Sequence, residues 1–212
     1  ADNLLCIHAG RRHGERPCHR LLSLRAGAST CLIERIEPMT IEAKPRYLTL
    51  IRHAKSSWDA SAASDFDRPL NKRGQRDAPA MGNEIARLGL KFDRILCSSA
   101  VRARQTLSGL EQGLGSQASI TAFMKSLYLA PAQRLYEFVS SQDDRYRDVA
   151  LIGHNPGMED FAGSLSGGRV DRMPTCCVVR FAFEQNADSW KDALENGSRL
   201  EFVRLARELG PY

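Results

Sequence analysis

No apolar run in this chain of 212 residues approaches the roughly 18 needed to span a bilayer, so a membrane-spanning helix is not expected. Aromatic residues are scarce at 7%, and no lysine–arginine block stands out despite a net charge of +5, so a nucleic-acid surface is not expected either. The six cysteines (Cys6, Cys18, Cys31, Cys97, Cys176 and Cys177) include no CxxC pair and no zinc-finger spacing. Cys176 and Cys177 are neighbours, and a disulfide between neighbours is strained. Reduced thiols, as in a cytosolic protein, are the expectation. No carboxylate cluster has metal-ligand spacing, so no metal and no other cofactor are expected. There is no internal repeat and no low-complexity tract. What remains is ordinary: 42% hydrophobic and 26% charged residues, enough for one sizeable core.

The composition breaks near residue 40. Residues 1–38 hold six arginines and no lysine, three of the five histidines and three of the six cysteines. Their one apolar stretch, Leu21-Leu22-Ser23-Leu24, is too short for a secretory core. An arginine-rich leader suits an organellar transit peptide, although Asp2, Glu15, Glu34 and Glu37 count against one. The expected organisation is a leader, tag-like or disordered extension over 1–38 and a single domain over 39–212. That domain carries 24 basic and 21 acidic residues. The expected location is cytoplasmic, or organellar if the extension is a transit peptide.

Within the domain, apolar β-branched runs alternate with helical patterns. Tyr47–Ile51, Arg94–Cys97, Val149–Ile152 and Val178–Phe183 read as strands, with a fifth over Leu200–Leu205. Ala78, Met81, Ile85 and Leu88 recur at helical spacing, as do Ala103, Leu107, Leu110 and Leu114; Leu135, Phe138 and Val139 mark a shorter helix. Pro79 requires the first helix either to begin near Asp77 or to bend. The alternation predicts an α/β fold, a three-layer sandwich with a mostly parallel central sheet flanked by helices. Ligands in such folds bind at the carboxyl ends of strands. The only histidines beyond residue 38, His53 and His154, each follow an apolar strand directly.

Taken in order, RHAKSSW, DRPLNKRG, SSAVRARQT and GHNPG make the region from Arg46 to Leu205 similar to the SixA-type phosphohistidine phosphatases of the histidine phosphatase (phosphoglycerate mutase-like) superfamily. Ala54 replaces the glycine of the commoner RHG, a form that the SixA-like branch shares. The resemblance implies a phosphoglycerate mutase-like fold and names four residues. His53 would be the nucleophile, accepting the phosphoryl group as a phosphoramidate; this needs one unprotonated ring nitrogen, so a backbone carbonyl should hold the other N–H. Arg52 and Arg102 would clamp phosphate through bidentate guanidinium forks. His154, protonated, would donate to a phosphoryl oxygen.

Other residues near these motifs read as architecture. Arg104 is expected to face solvent. Ser98 and Ser99 read as helix N-caps at least as readily as ligands. Asn155 and Pro156 read as N-cap and first helical residue. Asp65, Asp67, Arg68 and Asn71 read as loop and cap residues, and Trp58 as packing. Lys55, Ser56 and Ser57 are loop residues that could also touch the substrate.

One stretch is conspicuously acid-poor: residues 112–136 contain neither Asp nor Glu. In phosphomonoester members of the superfamily a carboxylate following the second helix protonates an alkoxide leaving group. Imidazole leaves more readily, so the gap favours a phosphohistidine substrate unless Asp59 or Asp65 approaches from another loop. The expected partner is a phosphohistidine-bearing signalling or phosphocarrier protein. The alternatives are a small phosphorylated metabolite hydrolysed by a phosphomonoesterase of the same superfamily, and a decayed phosphate-binding module. The cationic residues would take the place that magnesium holds in other phosphoryl-transfer enzymes. The oligomeric state is left open.

Overall fold

The computed structural model describes residues 45–58, 62–184 and 187–209. The expected boundary at residue 39, the extension before it and Asp59 lie outside the described residues. Six strands form one sheet: β1 (Arg46–Arg52), β2 (Arg94–Ser98), β3 (Thr121–Met124), β4 (Asp148–Gly153), β5 (Val178–Phe183) and β6 (Ser198–Arg204), in the order β3-β2-β4-β1-β5-β6. The first four in that order pair in parallel, and β5 is antiparallel to both neighbours. This is the expected α/β sandwich, with a mixed sheet whose central part is parallel.

Strand alternation builds the three layers. Leu48 and Leu50 of β1, with Val149 and Leu151 of β4, face one core, and Ile51, with Ala150 and Ile152, faces the other. Helices α1 (Lys72–Arg87) and α2 (Val101–Leu114) cover the Ile51 face, supplying Ala78, Met81, Ile85, Leu107 and Leu110. Helices α3 (Ala132–Ser140), α4 (Gly157–Leu165) and α5 (Trp190–Glu195) cover the Leu50 face, supplying Leu135, Val139, Phe161 and the buried Trp190. Both faces are covered, which is why the central strands read as nearly continuous apolar runs. No helix among the described residues is long and apolar enough to cross a membrane.

Helix α1 settles the question raised by Pro79. It begins at Lys72, capped by Asn71, whose Oδ1 accepts from the Gly74 backbone N–H at 3.0 Å, and it contains Pro79 in its interior. The proline ring lies against α2 where Gly109 has no side chain: a Cβ there would fall 3.2 Å from Pro79 Cδ and 2.6 Å from Ala78 Cβ. The edge strand β3 and the short α5 carried too little periodicity to be read from the sequence.

The DRPLNKRG segment ties the loop after β1 to the start of α1. Ser57 N–H donates to Pro69 O (2.8 Å), and Asn71 N–H donates to Lys55 O (2.9 Å). Arg68 donates to Ser57 O, Ser56 Oγ and Asp65 Oδ1. Gly74 is needed because its helix turn presses on the loop: a Cβ would sit 2.3 Å from Lys55 O. Gly74→Ala is therefore expected to cost about 1–3 kcal/mol of stability, the usual range for overpacking. A fall in the urea midpoint at unchanged slope, together with reduced turnover, checks it.

Candidate active site

Strand register brings the two histidines together. Parallel pairing of β1 and β4 sets Arg52 opposite Gly153, so His53 and His154 are the next residues on adjacent strands. His53 N–H donates to Gly153 O (3.1 Å), extending that ladder by one bond. The imidazole centroids lie 4.9 Å apart, with the rings tilted 52°. Arg102, in the first turn of α2, reaches the same point, its Nε 3.3 Å from His53 Nε2. The α2 motif also holds the nucleophile loop: Thr106 Oγ1 accepts from Ala54 N–H (2.9 Å), and Gln105 Oε1 accepts from Leu70 N–H (2.7 Å). Ala54 is fully buried and lies outside the positive-φ region, so nothing there requires a glycine.

The expected carbonyl for His53 is its own neighbour's. Nδ1 lies 2.7 Å from Ala54 O, which fixes the N–H on Nδ1 and leaves the Nε2 lone pair facing Arg102. Arg52 ends β1 and donates through Nη1 to Met173 O at 2.6 Å; its Nε is buried with no partner among the described residues. The chain around Met173 returns to the strand end, where Cys176 N–H donates to Arg52 O and His53 O. Cys97, Cys176 and Cys177 are free and buried, and burial pushes each thiol up to about 12, as inert thiols require.

Burial, followed by His53 and Arg102, drops the His154 imidazole to about 3, so it is neutral in the ligand-free protein; the expected protonation concerns the phosphoryl-bound state. Its Nε2 lies 2.8 Å from Ser98 Oγ, and its Nδ1 is buried with no partner among the described residues. Ser98 Oγ can donate to or accept from Nε2, and in either tautomer the neutral ring keeps one N–H. Ser98 is thus not the helix cap: that position belongs to Ala100, which has no side-chain cap, and Ala100 N–H donates to Ser98 Oγ at 3.3 Å. Ser99 does not cap the helix either, because α2 begins two residues beyond it. Asn155 is likewise displaced: the Asn155–Pro156 bond is cis and Pro156 takes the cap position, while Asn155 Nδ2 donates to Glu159 Oε2 and Met173 O. Gly157 follows because a Cβ there would collide with Ala130 O at 1.9 Å.

Asp65 is the main correction. Read as a loop residue, it instead accepts from Arg102 through Oδ2 (3.1 Å), from Tyr128 Oη through the same oxygen (2.6 Å) and from Arg68 through Oδ1 (2.6 Å). Arg102 Nη1 also donates to the Asp65 carbonyl at 2.5 Å. The Tyr128 and Arg68 hydrogen bonds hold the Asp65 carboxyl down at about 2. Tyr128, from the acid-poor stretch, sets its ring edge-on to His154 at 5.4 Å. Neither residue was singled out for the site by motif position alone; the one available hint was that Asp65 could approach from another loop. Asp67, Arg68 and Asn71 are the loop and cap residues expected. Arg104 is exposed, its guanidinium 5.0 Å from the Phe123 ring centroid. Trp58 is 78% exposed rather than packed inside, with the Arg68 guanidinium stacked 3.5 Å from its ring centroid.

A family model for the histidine phosphatase superfamily, branch 1, matches residues 48–150, which begin in β1 and end in β4. The chain belongs to the histidine phosphatase superfamily. Among its relatives is an uncharacterized chloroplastic protein of Arabidopsis thaliana, 33% identical over 156 residues that cover 70% of each chain. The mitochondrial serine/threonine-protein phosphatase PGAM5 of Xenopus tropicalis is 36% identical over 162 residues, 74% of this chain and 50% of that protein. Among solved structures, a candidate phosphohistidine phosphatase SixA from Nakamurella multipartitia superposes with a TM-score of 0.66 at 26% identity, covering 77% of this chain and 98% of that one. In this histidine phosphatase, then, both motif histidines and the motif arginine of α2 meet at the carboxyl ends of β1, β2 and β4.

The surroundings of the two imidazoles make a pH prediction. Burial, with Arg102, Arg52 and Arg68 adding to it, drops His53 to about 4. Both rings should stay neutral as pH falls from 7 to 5, and an NMR titration of the histidine ring protons should show two of the five failing to titrate in that window. In the unfolded chain both would take up protons near 6.5. The unfolded state therefore binds more protons between about pH 6.5 and 4, and stability falls as pH is lowered through that range. A urea midpoint at pH 5 equal to that at pH 7 would contradict this.

Proposed function

We propose that this histidine phosphatase hydrolyses phosphohistidine on a protein, through a phosphoryl group carried transiently on His53. The observation that supports the reading most is the state of His53: its Nδ1 is committed to Ala54 O, and its Nε2 lone pair lies 3.3 Å from a guanidinium N–H. A neutral, desolvated imidazole with one unprotonated nitrogen is a nucleophile for phosphorus once the phosphoryl oxygens draw away the Arg102 N–H from which that nitrogen accepts. Arg102 and Arg52 take the phosphoryl oxygens, and a ring N–H of His154 donates to a third. Charge developing in transfer is met by donors already in place, and the ligands that pair with Arg102 give way to the phosphoryl group. Water then attacks the phosphoramidate and frees His53.

The substrate class follows from the leaving group. Residues 112–136 supply no carboxylic acid to protonate an alkoxide, and Asp65, the carboxylate bonded to Arg102, is held ionised. Imidazole needs no such help. One observation favours a second reading, hydrolysis of phosphomonoesters: a relative of known name, PGAM5, is a serine/threonine-protein phosphatase. The experiment is a panel that sets a phosphohistidine-bearing phosphocarrier protein beside phosphoserine peptides and metabolite phosphates. A kcat/KM highest for phosphohistidine is expected. A panel led by a phosphomonoester overturns the substrate assignment, and no turnover of any member overturns the enzyme reading itself.

A further inference from the structure

Arg102 stands between a nucleophile and a carboxylate. Its Nε faces His53 Nε2 at 3.3 Å and its Nη2 meets Asp65 Oδ2 at 3.1 Å, so one guanidinium spans the gap. His53 is 8% exposed, whereas the Asp65 side chain is 47% exposed; the carboxylate therefore sits on the outer side of Arg102, where a leaving group must depart. Tyr128 and Arg68 hold it there from two further directions. We propose that Asp65 is a specificity-determining residue that receives the distal ring N–H of a phosphorylated imidazole, selecting a cationic leaving group over a neutral or anionic one. This rests on the phosphohistidine reading above and deepens it.

The argument is electrostatic. A carboxylate held down at about 2 carries no proton to give an alkoxide at neutral pH. Beside a bound phosphoryl dianion it is a like charge, and it also competes with that dianion for the Arg102 fork. Both effects disfavour an ordinary phosphate ester. A substrate imidazole protonated on its distal nitrogen reverses the sign, because its positive charge faces the carboxylate while its phosphoryl oxygens take Arg102. The step balances without proton delivery. The His53 Nε2 lone pair forms the new P–N bond, and the substrate's P–N bond breaks with its electron pair returning to the ring. The distal N–H stays in place, so the product departs as neutral imidazole.

The test compares the native protein, Asp65→Asn and Asp65→Glu on phosphoimidazole, p-nitrophenyl phosphate and phenyl phosphate. Asp65→Asn is expected to lower kcat/KM for phosphoimidazole by about 10-fold or more, the range for a lost hydrogen bond to a charged group. It should raise kcat/KM for p-nitrophenyl phosphate, since Arg102 is released. Asp65→Glu should recover part of the phosphoimidazole rate. An equal fall on phosphoimidazole and p-nitrophenyl phosphate overturns the proposal, as does an unchanged ratio between them. A larger loss on phenyl than on p-nitrophenyl phosphate also overturns it, being the signature of a general acid. If the native protein hydrolyses p-nitrophenyl phosphate but not phosphoimidazole, the substrate reading fails first and the proposal falls with it. If it hydrolyses phosphoimidazole and Asp65→Asn leaves the preference intact, only the role of Asp65 fails.

Discussion

His53→Ala should abolish turnover, with a loss of at least ~10⁴-fold, the scale on which removing a covalent nucleophile acts. The expectation comes from what the ring does in place. Its Nδ1 proton is held by Ala54 O, its Nε2 faces the Arg102 guanidinium, and burial keeps it neutral far below neutral pH. Among the described residues no neighbouring group supplies a substitute: the second ring, His154, bonds Ser98 through Nε2, and Asp65 is committed to Arg102, Arg68 and Tyr128. The accompanying readout is chemical. Brief reaction with labelled substrate followed by denaturation should leave on the native protein a phosphoryl group that acid removes and base does not. His53→Ala should carry none. A variant that still accumulates such a label would place the nucleophile elsewhere, whatever its rate. Loss of the label with unchanged circular dichroism separates chemistry from misfolding.

How much of this was legible in advance depends on the kind of information involved. Strands β1, β2 and β4 were readable because parallel strands buried on both faces give dense apolar runs, and their ends were marked by Arg52-His53, Ser98-Ser99 and Gly153-His154. That His53 and His154 meet also needed the β1–β4 pairing, which the ligand rule for α/β sheets anticipates. Arg102 was separable from Arg104 by motif, and their placements on α2, one buried and one exposed, agree with that separation. Asp65 was a different matter. It lies in an irregular loop with no periodicity, and its place beside Arg102 depends on Val101 N–H donating to Phe66 O and on Arg68 folding back, contacts no local pattern encodes. Tyr128 follows a short 3₁₀ turn next to an edge strand that was itself not seen. The charge state of His154 could not be read either, because it follows from burial and from two neighbours distant in sequence. Ser98 shows the limit of residue-type reasoning: a serine just ahead of a helix suggests a cap, yet here its hydroxyl serves a histidine on the adjacent strand.

Arg102→Ala should lower kcat/KM by about 10²–10³-fold, the cost of losing one preorganised donor to a developing oxyanion, whereas Arg104→Ala should change it by less than about twofold, as surface substitutions usually do. Arg102→Lys should rescue little, because a point charge reproduces neither the Nε contact to His53 nor the fork that reaches Asp65. A second consequence sets this apart from a merely structural defect. Arg102 is one of the charges that depress both imidazoles, so its removal should raise the His53 and His154 values toward 6.5. The neutral nucleophile would then be lost at a higher pH. The acid limb of kcat/KM should accordingly move upward in Arg102→Ala, while in Arg104→Ala it should stay where the native protein has it. Asp65, deprived of one of its two arginines, would still be held by Arg68 and Tyr128, so the loop should persist and the variant should fold. A variant with lowered rate but an unmoved acid limb would mean that the Arg102 charge does not reach the histidines, and with that the electrostatic account of the site would fail.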